Sequence, residues 1–345
     1  MWSRGKNSHR NNKACELYNS FAFFIKKGWG VLNTICTTLS LVLVERGRKT
    51  MRITLFGTRG SRPVSGPQYN SYGGDTTCAA VFANSQKTFI LDAGTGICRL
   101  NQIGDKELYL LLTHLHWDHI QGLPFFEPAY DADKNISIYG KANGKSVKGA
   151  LDNQHERFNF PVPFDALKGI KDILEFHPGE EIYDDGEMSI DTLLQNHPSG
   201  GSVAYRFREQ LGDGSCTAFI FSTDYELEGN WLDDRVAEFW SKADLVVADM
   251  HYEPADSERE ENKYKSGWGH SDYKSGIRLA TVAEVKKLVG THFAPSSTDN
   301  YLSQLESRME DEAERMAEQL GKAKVETGLA QPLQTHILPS ESYVI

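Results

Sequence analysis

The chain has 345 residues, of which 39% are hydrophobic, 24% charged and 11% aromatic, enough apolar content to bury a core and too much for a disordered chain. Mean hydropathy is −0.47, and the sequence has no run of about 18 apolar residues, which excludes a polytopic membrane protein. The net charge of −10 is unevenly spread: residues 1–50 hold nine Lys or Arg against Glu16 and Glu45, a balance of +7, so the other 295 carry −17. A body that acidic repels a long polyanion, so long RNA and duplex DNA are disfavoured as its partners. Five cysteines (Cys15, Cys36, Cys78, Cys98, Cys216) form no C-x-x-C pair. They suit neither a disulfide framework nor a cysteine zinc site, and point to a reducing, cytoplasmic setting.

Residues 1–50 do not read like the rest. An Asn-rich basic start leads to the uncharged stretch from Gly28 to Val44, then Glu45-Arg-Gly-Arg-Lys. A signal peptide lacks its small-x-small cleavage site here, and a signal anchor falls just short of a bilayer's span. The expectation is a tail outside the folding unit, with the fold beginning at Met51 and running to residue 345. Strands are expected at Ile53–Phe56, Cys78–Ala83 and Thr88–Leu91 (a hairpin pair), Leu108–Leu112, Ile136–Tyr139, Val203–Phe207, Thr217–Ser222 and Leu245–Ala248. Gly212–Ser215 reads as a turn. Helices are expected at Gly122–Phe126, Ser146–Asn153, Leu232–Ser241, Ser275–Val289 and Asn300–Gln319, the last with apolar residues at helical spacing. The fold class is α/β.

One segment dominates the chemistry. The apolar run Leu110-Leu-Leu leads through Thr113 into His114-Leu-His116-Trp-Asp118-His119, three histidines and an aspartate within six positions. Histidines two apart at a strand end point the same way and can bind one ion, while Asp118 and His119 can face a second. Two ions need more ligands. His197, Asp224 and His292 each end an apolar run, and together with the cluster they complete two sites.

These motifs, in this order, resemble the metallo-β-lactamase superfamily, over about Met51 to Asp299. The resemblance implies a four-layer αβ/βα sandwich with a dinuclear centre at the strand ends. By motif, His114, His116 and His197 would bind one zinc and Asp118, His119 and His292 the other, with Asp224 bridging; manganese or iron are the other candidate metals. Asp92, in Leu-Asp92-Ala-Gly-Thr-Gly, would orient the metal site from behind. Two such ions, roughly 3.5–4 Å apart, generate a metal-bound hydroxide, with Asp118 as proton acceptor. No cysteine stands among these ligands, unlike the site of true β-lactamases.

Gly267-Trp-Gly-His270-Ser-Asp-Tyr is similar to the Gly-His-Ser-Thr element of the RNase Z and cyclic-nucleotide phosphodiesterase-like branch, with Asp272 in place of Thr. That places His270 at the scissile phosphate, assisting the leaving oxygen, and Asp249 and His251 are candidates to support it. His197 and Asp224 are only 27 positions apart, and no long basic insertion resembles the arm with which RNase Z grips transfer RNA. The expected substrate is therefore a small phosphodiester such as a cyclic nucleotide. The alternatives are an RNase Z-like endonuclease and a non-catalytic metal-binding sensor. No stable membrane span is expected, and a homodimer stays open. Arg59 and Arg62 are candidate phosphate contacts, and Phe158–Phe164 reads as an aromatic lid or a packing strip. His155, His177 and His336 read as surface residues.

Overall fold

The computed structural model describes residues 50–83, 87–141, 146–227, 233–260 and 263–339. Residues 1–49, on which the expectation of a tail falls, lie outside the described residues. Among the described residues no helix is long and apolar enough to cross a membrane.

The chain first lays down β1 (Met51–Gly57), β2 (Cys78–Phe82), β3 (Thr88–Leu91), β4 (Glu107–Leu111), β5 (Asn135–Lys141) and β6 (Ile170–Phe176). A second series follows: β7 (Glu181–Asp184), β8 (Met188–Gln195), β9 (Ser202–Gln210), β10 (Cys216–Ser222), β11 (Leu245–Asp249), β12 (Lys287–Thr291) and β13 (Glu326–Leu329). The last strand, β14 (Thr335–Leu338), returns to β1. Two sheets result, with orders β14-β1-β2-β3-β4-β5-β6 and β13-β12-β11-β10-β9-β8-β7. The helices are α1 (Trp117–Ile120), α2 (Val147–Gln154), α3 (Asp234–Trp240), α4 (Tyr273–Val282) and α5 (Asp299–Leu320).

Strand periodicity sorts the apolar side chains into layers. In β4, Leu111 joins the core between the sheets, and Leu108 and Leu110 belong to the outer apolar cluster that also holds Val147 and Leu151 of α2. Phe89 of β3 meets Phe207 of β9 across the sheets at a ring separation of 5.7 Å, and Phe207 meets Phe219 of β10 at 5.7 Å. The Tyr205 hydroxyl crosses the same gap to donate to the Leu112 carbonyl at 2.6 Å. On the far side, α4 and α5 pack against β12 and β13. The result is the expected sandwich of two sheets between helical layers.

Most expected elements lie within a few residues of their observed bounds, but three expectations need correction. The helix expected over Ser275–Val289 runs from Tyr273 to Val282. Glu284, at φ 58°, turns the chain out of helix, and Lys287–Thr291 becomes a strand buried between β11 and β13. Gly122–Phe126 supplies only a 3-10 turn at Leu123–Phe125, shortened by Pro124. Finally, His155 is buried rather than superficial, its Nδ1 donating to the Val162 carbonyl at 3.0 Å.

The packed layer between the sheets makes a direct prediction. Phe219→Ala should lower the unfolding free energy in urea by about 3–5 kcal/mol. A loss below about 1 kcal/mol would mean that the two faces are not close-packed there.

Candidate metal centre

The strands deliver their carboxyl ends to one edge. In the first sheet β3 and β4 are parallel, and Asp92 and His114 follow their last residues. In the second, β10, β11 and β12 are parallel and lead to Asp224, Asp249 and His292, while β8 leads to His197. Three of these positions, Asp92, Asp224 and His292, have left-handed backbones at φ 61°, 56° and 59°. Non-glycine residues adopt that region at a cost, and such strain collects at functional sites. The tight turns let the strands stop with their side chains aimed at a common point. Gly60 is required for the same reason, since a Cβ there would lie 2.4 Å from the His292 ring.

The structure brings all seven expected ligands together. His114, His116 and His197 offer nitrogens within 4.8 Å of one another, as do Asp118, His119 and His292. Asp224 spans the two groups: its Oδ2 lies 3.1 Å from His119 Nε2 and 3.2 Å from His292 Nε2, and its Oδ1 3.7 Å from His197 Nε2. The expected supporting carboxylates lie behind them. His119 Nδ1 donates to Asp92 Oδ2 at 2.8 Å, and Asp92 also takes the Thr113 N–H at 2.8 Å. His270 Nδ1 donates to Asp249 Oδ2 at 2.9 Å. Asp249 further accepts from the backbone of Asp224, His251 and Ser271, at 3.1, 3.0 and 3.2 Å.

These acceptors select tautomers. With Nδ1–H of His119 committed to Asp92 and that of His197 to the Gly269 carbonyl (2.8 Å), Nε2 is the nitrogen that each of these rings offers a ligand. Facing nitrogens then crowd together: His119 Nε2 and His292 Nε2 are 3.3 Å apart, and His197 Nε2 and His116 Nδ1 are 3.1 Å apart. His114 Nε2 is buried with no hydrogen-bond partner. Converging ring nitrogens and an orphaned buried nitrogen fit divalent cations.

Charge divides the site in two. Burial pushes His114, His116 and His197 below the usual imidazole range, far below it for His114, so this group is neutral and ready to ligate. Burial would lower His119 and His292 as well, but the carboxylates of Asp224 and Asp118 reverse the sign. Asp224 comes first for both, with Asp92 also acting on His119 and Asp249 on His292; His119 is held well above its ordinary value and His292 is raised to about 10. Burial opposes ionisation of Asp118, yet His119 and His292 hold it far below the carboxylate range.

Several side chains do not fall where the sequence suggested. Arg59 is fully buried, donating from Nε to the Gly73 carbonyl and from Nη1 to that of Ser297, both at 2.6 Å. It holds loops rather than meeting a phosphate. The aromatic strip divides: Phe164 is buried, Phe160 packs on Phe125 and His155, and Phe158 is 95% exposed. Asp272, where the resembling motif has Thr, caps α4 by accepting from Lys274 and Ser275 backbone N–H groups. His251 stacks on His270 at 4.2 Å and donates to the His292 carbonyl at 3.0 Å. Sequence reading missed Thr113, Glu226 and Ser61, whose N–H meets Asp118 Oδ2 at 2.7 Å.

Residues 88–293, which run from β3 to just past His292, match the beta-lactamase superfamily domain. A ribonuclease Z of Clostridium tetani (strain Massachusetts / E88) is 24% identical over 295 residues, covering 72% of this chain and 89% of that protein. Among solved structures, a diphosphatase from the PhnP family aligns at TM-score 0.59 and 15% identity, over 84% of this chain and 97% of that one. Unliganded yeast PDE1 aligns at TM-score 0.58 and 14% identity, over 83% and 99%. At those identities the two structures share a fold with this chain.

The charge asymmetry can be measured. A nitrogen must be unprotonated to ligate, so metal binding to the neutral trio should release no protons at pH 7.5, whereas binding at His119 and His292 should release at least one. The second step should strengthen as pH rises toward about 10. Calorimetry in buffers of different ionisation enthalpy reports both; two steps with equal proton release would contradict the division.

Proposed function

This chain belongs to the metallo-β-lactamase superfamily of hydrolases, and on that basis we propose that it is a dinuclear phosphodiesterase, with zinc as the metal and a small nucleotide as substrate. His114, His116 and His197 would hold one ion and Asp118, His119 and His292 the other, with Asp224 between them. Bound there, the ions supply Lewis acidity and an acidified water. Asp118 accepts the proton of the attacking water.

The observation that carries the phosphodiester reading is His270. Its Nδ1 is fixed on Asp249, and its ring lies 5.5 Å from that of His197 and 5.2 Å from that of His292. An imidazole held there beside the ligand rings can, as the imidazolium, pass the proton of its other nitrogen, Nε2, to a departing alkoxide. A non-catalytic metal carrier has no use for such a group. The −17 charge of residues 51–345 supports a small substrate over a long polyanion. The ribonuclease Z likeness favours a second reading, RNA processing by the same residues.

Incubation of the metal-loaded protein with bis-p-nitrophenyl phosphate, 2′,3′- and 3′,5′-cyclic nucleotides and a precursor transfer RNA, with and without chelator, separates these readings. Chelator-sensitive cleavage of nucleotides is expected; cleavage of the precursor alone would favour RNA processing. His270→Ala should keep both metals and slow turnover about 10²- to 10⁴-fold, and an unchanged rate on every active substrate would remove it from the mechanism. Asp224→Asn should lower metal content and abolish turnover. Full metal content at a normal rate would exclude its bridging role.

A further inference from the structure

Two indoles stand out to solvent beside the histidines. Trp117 is 58% exposed and Trp268 is 61% exposed, whereas Trp240 is wholly buried. Trp117 lies between His116 and Asp118, and Trp268 immediately precedes Gly269 and His270. His197 joins the two segments, its Nε2 lying 3.1 Å from His116 Nδ1 and its Nδ1 donating to the Gly269 carbonyl at 2.8 Å. The backbones that carry the indoles therefore flank a single imidazole of the metal centre.

The exposure of Trp268 is built in. The N–H groups on either side of it, from Gly267 and Gly269, both donate to the buried carboxylate of Glu226 at 2.8 Å, and the Tyr264 hydroxyl joins them. Both glycines hold left-handed backbones, at φ 80° and 81°. At Gly269 a Cβ would also lie 2.2 Å from His197 Nδ1, so only glycine fits. A loop pinned at both sides of an indole, with the indole left outside, presents that ring rather than burying it. Lys265 Nζ lies 4.9 Å from the ring centroid and brings positive charge to the mouth of an acidic body.

We propose that Trp117 and Trp268 form a stacking site for the nucleobase of the phosphodiester whose phosphate reaches His270. The proposal rests on the phosphodiesterase reading and names its substrate class: a base-bearing ester rather than a simple alkyl one. Every base has a flat π-face, so indole stacking gives affinity without selecting among bases. Glu226 is a positioning residue that sets the Trp268 loop.

The test compares the metal-loaded full chain with Trp117→Ala, Trp268→Ala and Trp268→Phe, with circular dichroism and metal content establishing that each variant is folded and loaded. Calorimetry measures the affinity for a nucleoside 5′-monophosphate relative to ribose 5-phosphate. The unmodified chain should prefer the nucleotide by about tenfold or more, the alanine variants should lose most of that preference, and Phe at position 268 should restore part of it. Equal binding of the two ligands by the unmodified chain, or a preference unchanged in both alanine variants, would overturn the proposal. So would a shift in sedimentation of Trp268→Ala without change in preference, which would assign the indoles to a self-interface. Turnover separates the two levels. A base preference in binding without cleavage of any nucleotide leaves the stacking site standing and removes the phosphodiesterase reading. Cleavage of glycerol cyclic phosphate as fast as of cyclic nucleotides, without base preference, does the reverse.

Discussion

Asp92, Asp118, Asp224 and Asp249 are all buried at the edge where the two sheets deliver their strand ends. Taking one unpaired carboxylate out of water costs several kcal/mol, and four together add mutual repulsion. The surroundings answer with donors: Thr113 and His119 for Asp92, Ser61 and His292 for Asp118, and three backbone N–H groups with His270 for Asp249. Asp224 is treated differently. Its Oδ2 meets only the Nε2 atoms of His119 and His292, without hydrogen-bond geometry. A carboxylate satisfied by neither backbone nor hydroxyl is one whose partner is a cation. The pocket is thus stable to the extent that positive charge, as protons or as metal, is shared around Asp224.

This constraint shapes the backbone as well. The two sheets carry ordinary alternating strands until their last residues, then turn through left-handed positions at Asp92, Asp224 and His292. Packing elsewhere holds that strain in place. The Tyr205 hydroxyl anchors Leu112 just before the histidine cluster, and the rings of Phe89, Phe207 and Phe219 fix the sheets against each other. A rigid inter-sheet layer allows loops at its edge to hold costly geometry, because the loops cannot relax without moving whole strands.

What the sequence made legible follows from how local each feature is. His114, His116, Asp118 and His119 fall within six positions, so their pattern announces itself. His197, Asp224 and His292 are single residues dispersed over nearly a hundred positions; each is marked only by standing at the end of an apolar run, and the need of two ions for more ligands drew them together. Central strands such as β10 and β11, buried on both faces, read as continuous apolar runs and were located well. The edge strand β6, with a burial pattern that leaves Lys171, Asp172 and Glu175 exposed, carries little apolar signal and went unseen. Glu226 was equally invisible, since a glutamate two positions past Asp224 looks like any solvated acid until the fold places Gly267 and Gly269 over it.

The division of charge within the centre follows from what stands behind each ring. The neutral trio pairs His114 and His116 with His197, whose Nδ1 is spent on a peptide carbonyl. A carbonyl orients an imidazole without adding net charge, so burial keeps the ring neutral. His119 instead leans on Asp92, and His292 lies 3.3 Å from Asp249 through its Nδ1. Carboxylates behind a ring raise its basicity and so strengthen it as a ligand, at the cost of competition from protons. Asp249 serves both His292 and His270, so one buried carboxylate couples the basicity of a proposed ligand to the orientation of the proposed acid. A change at Asp249 therefore cannot act on one without the other.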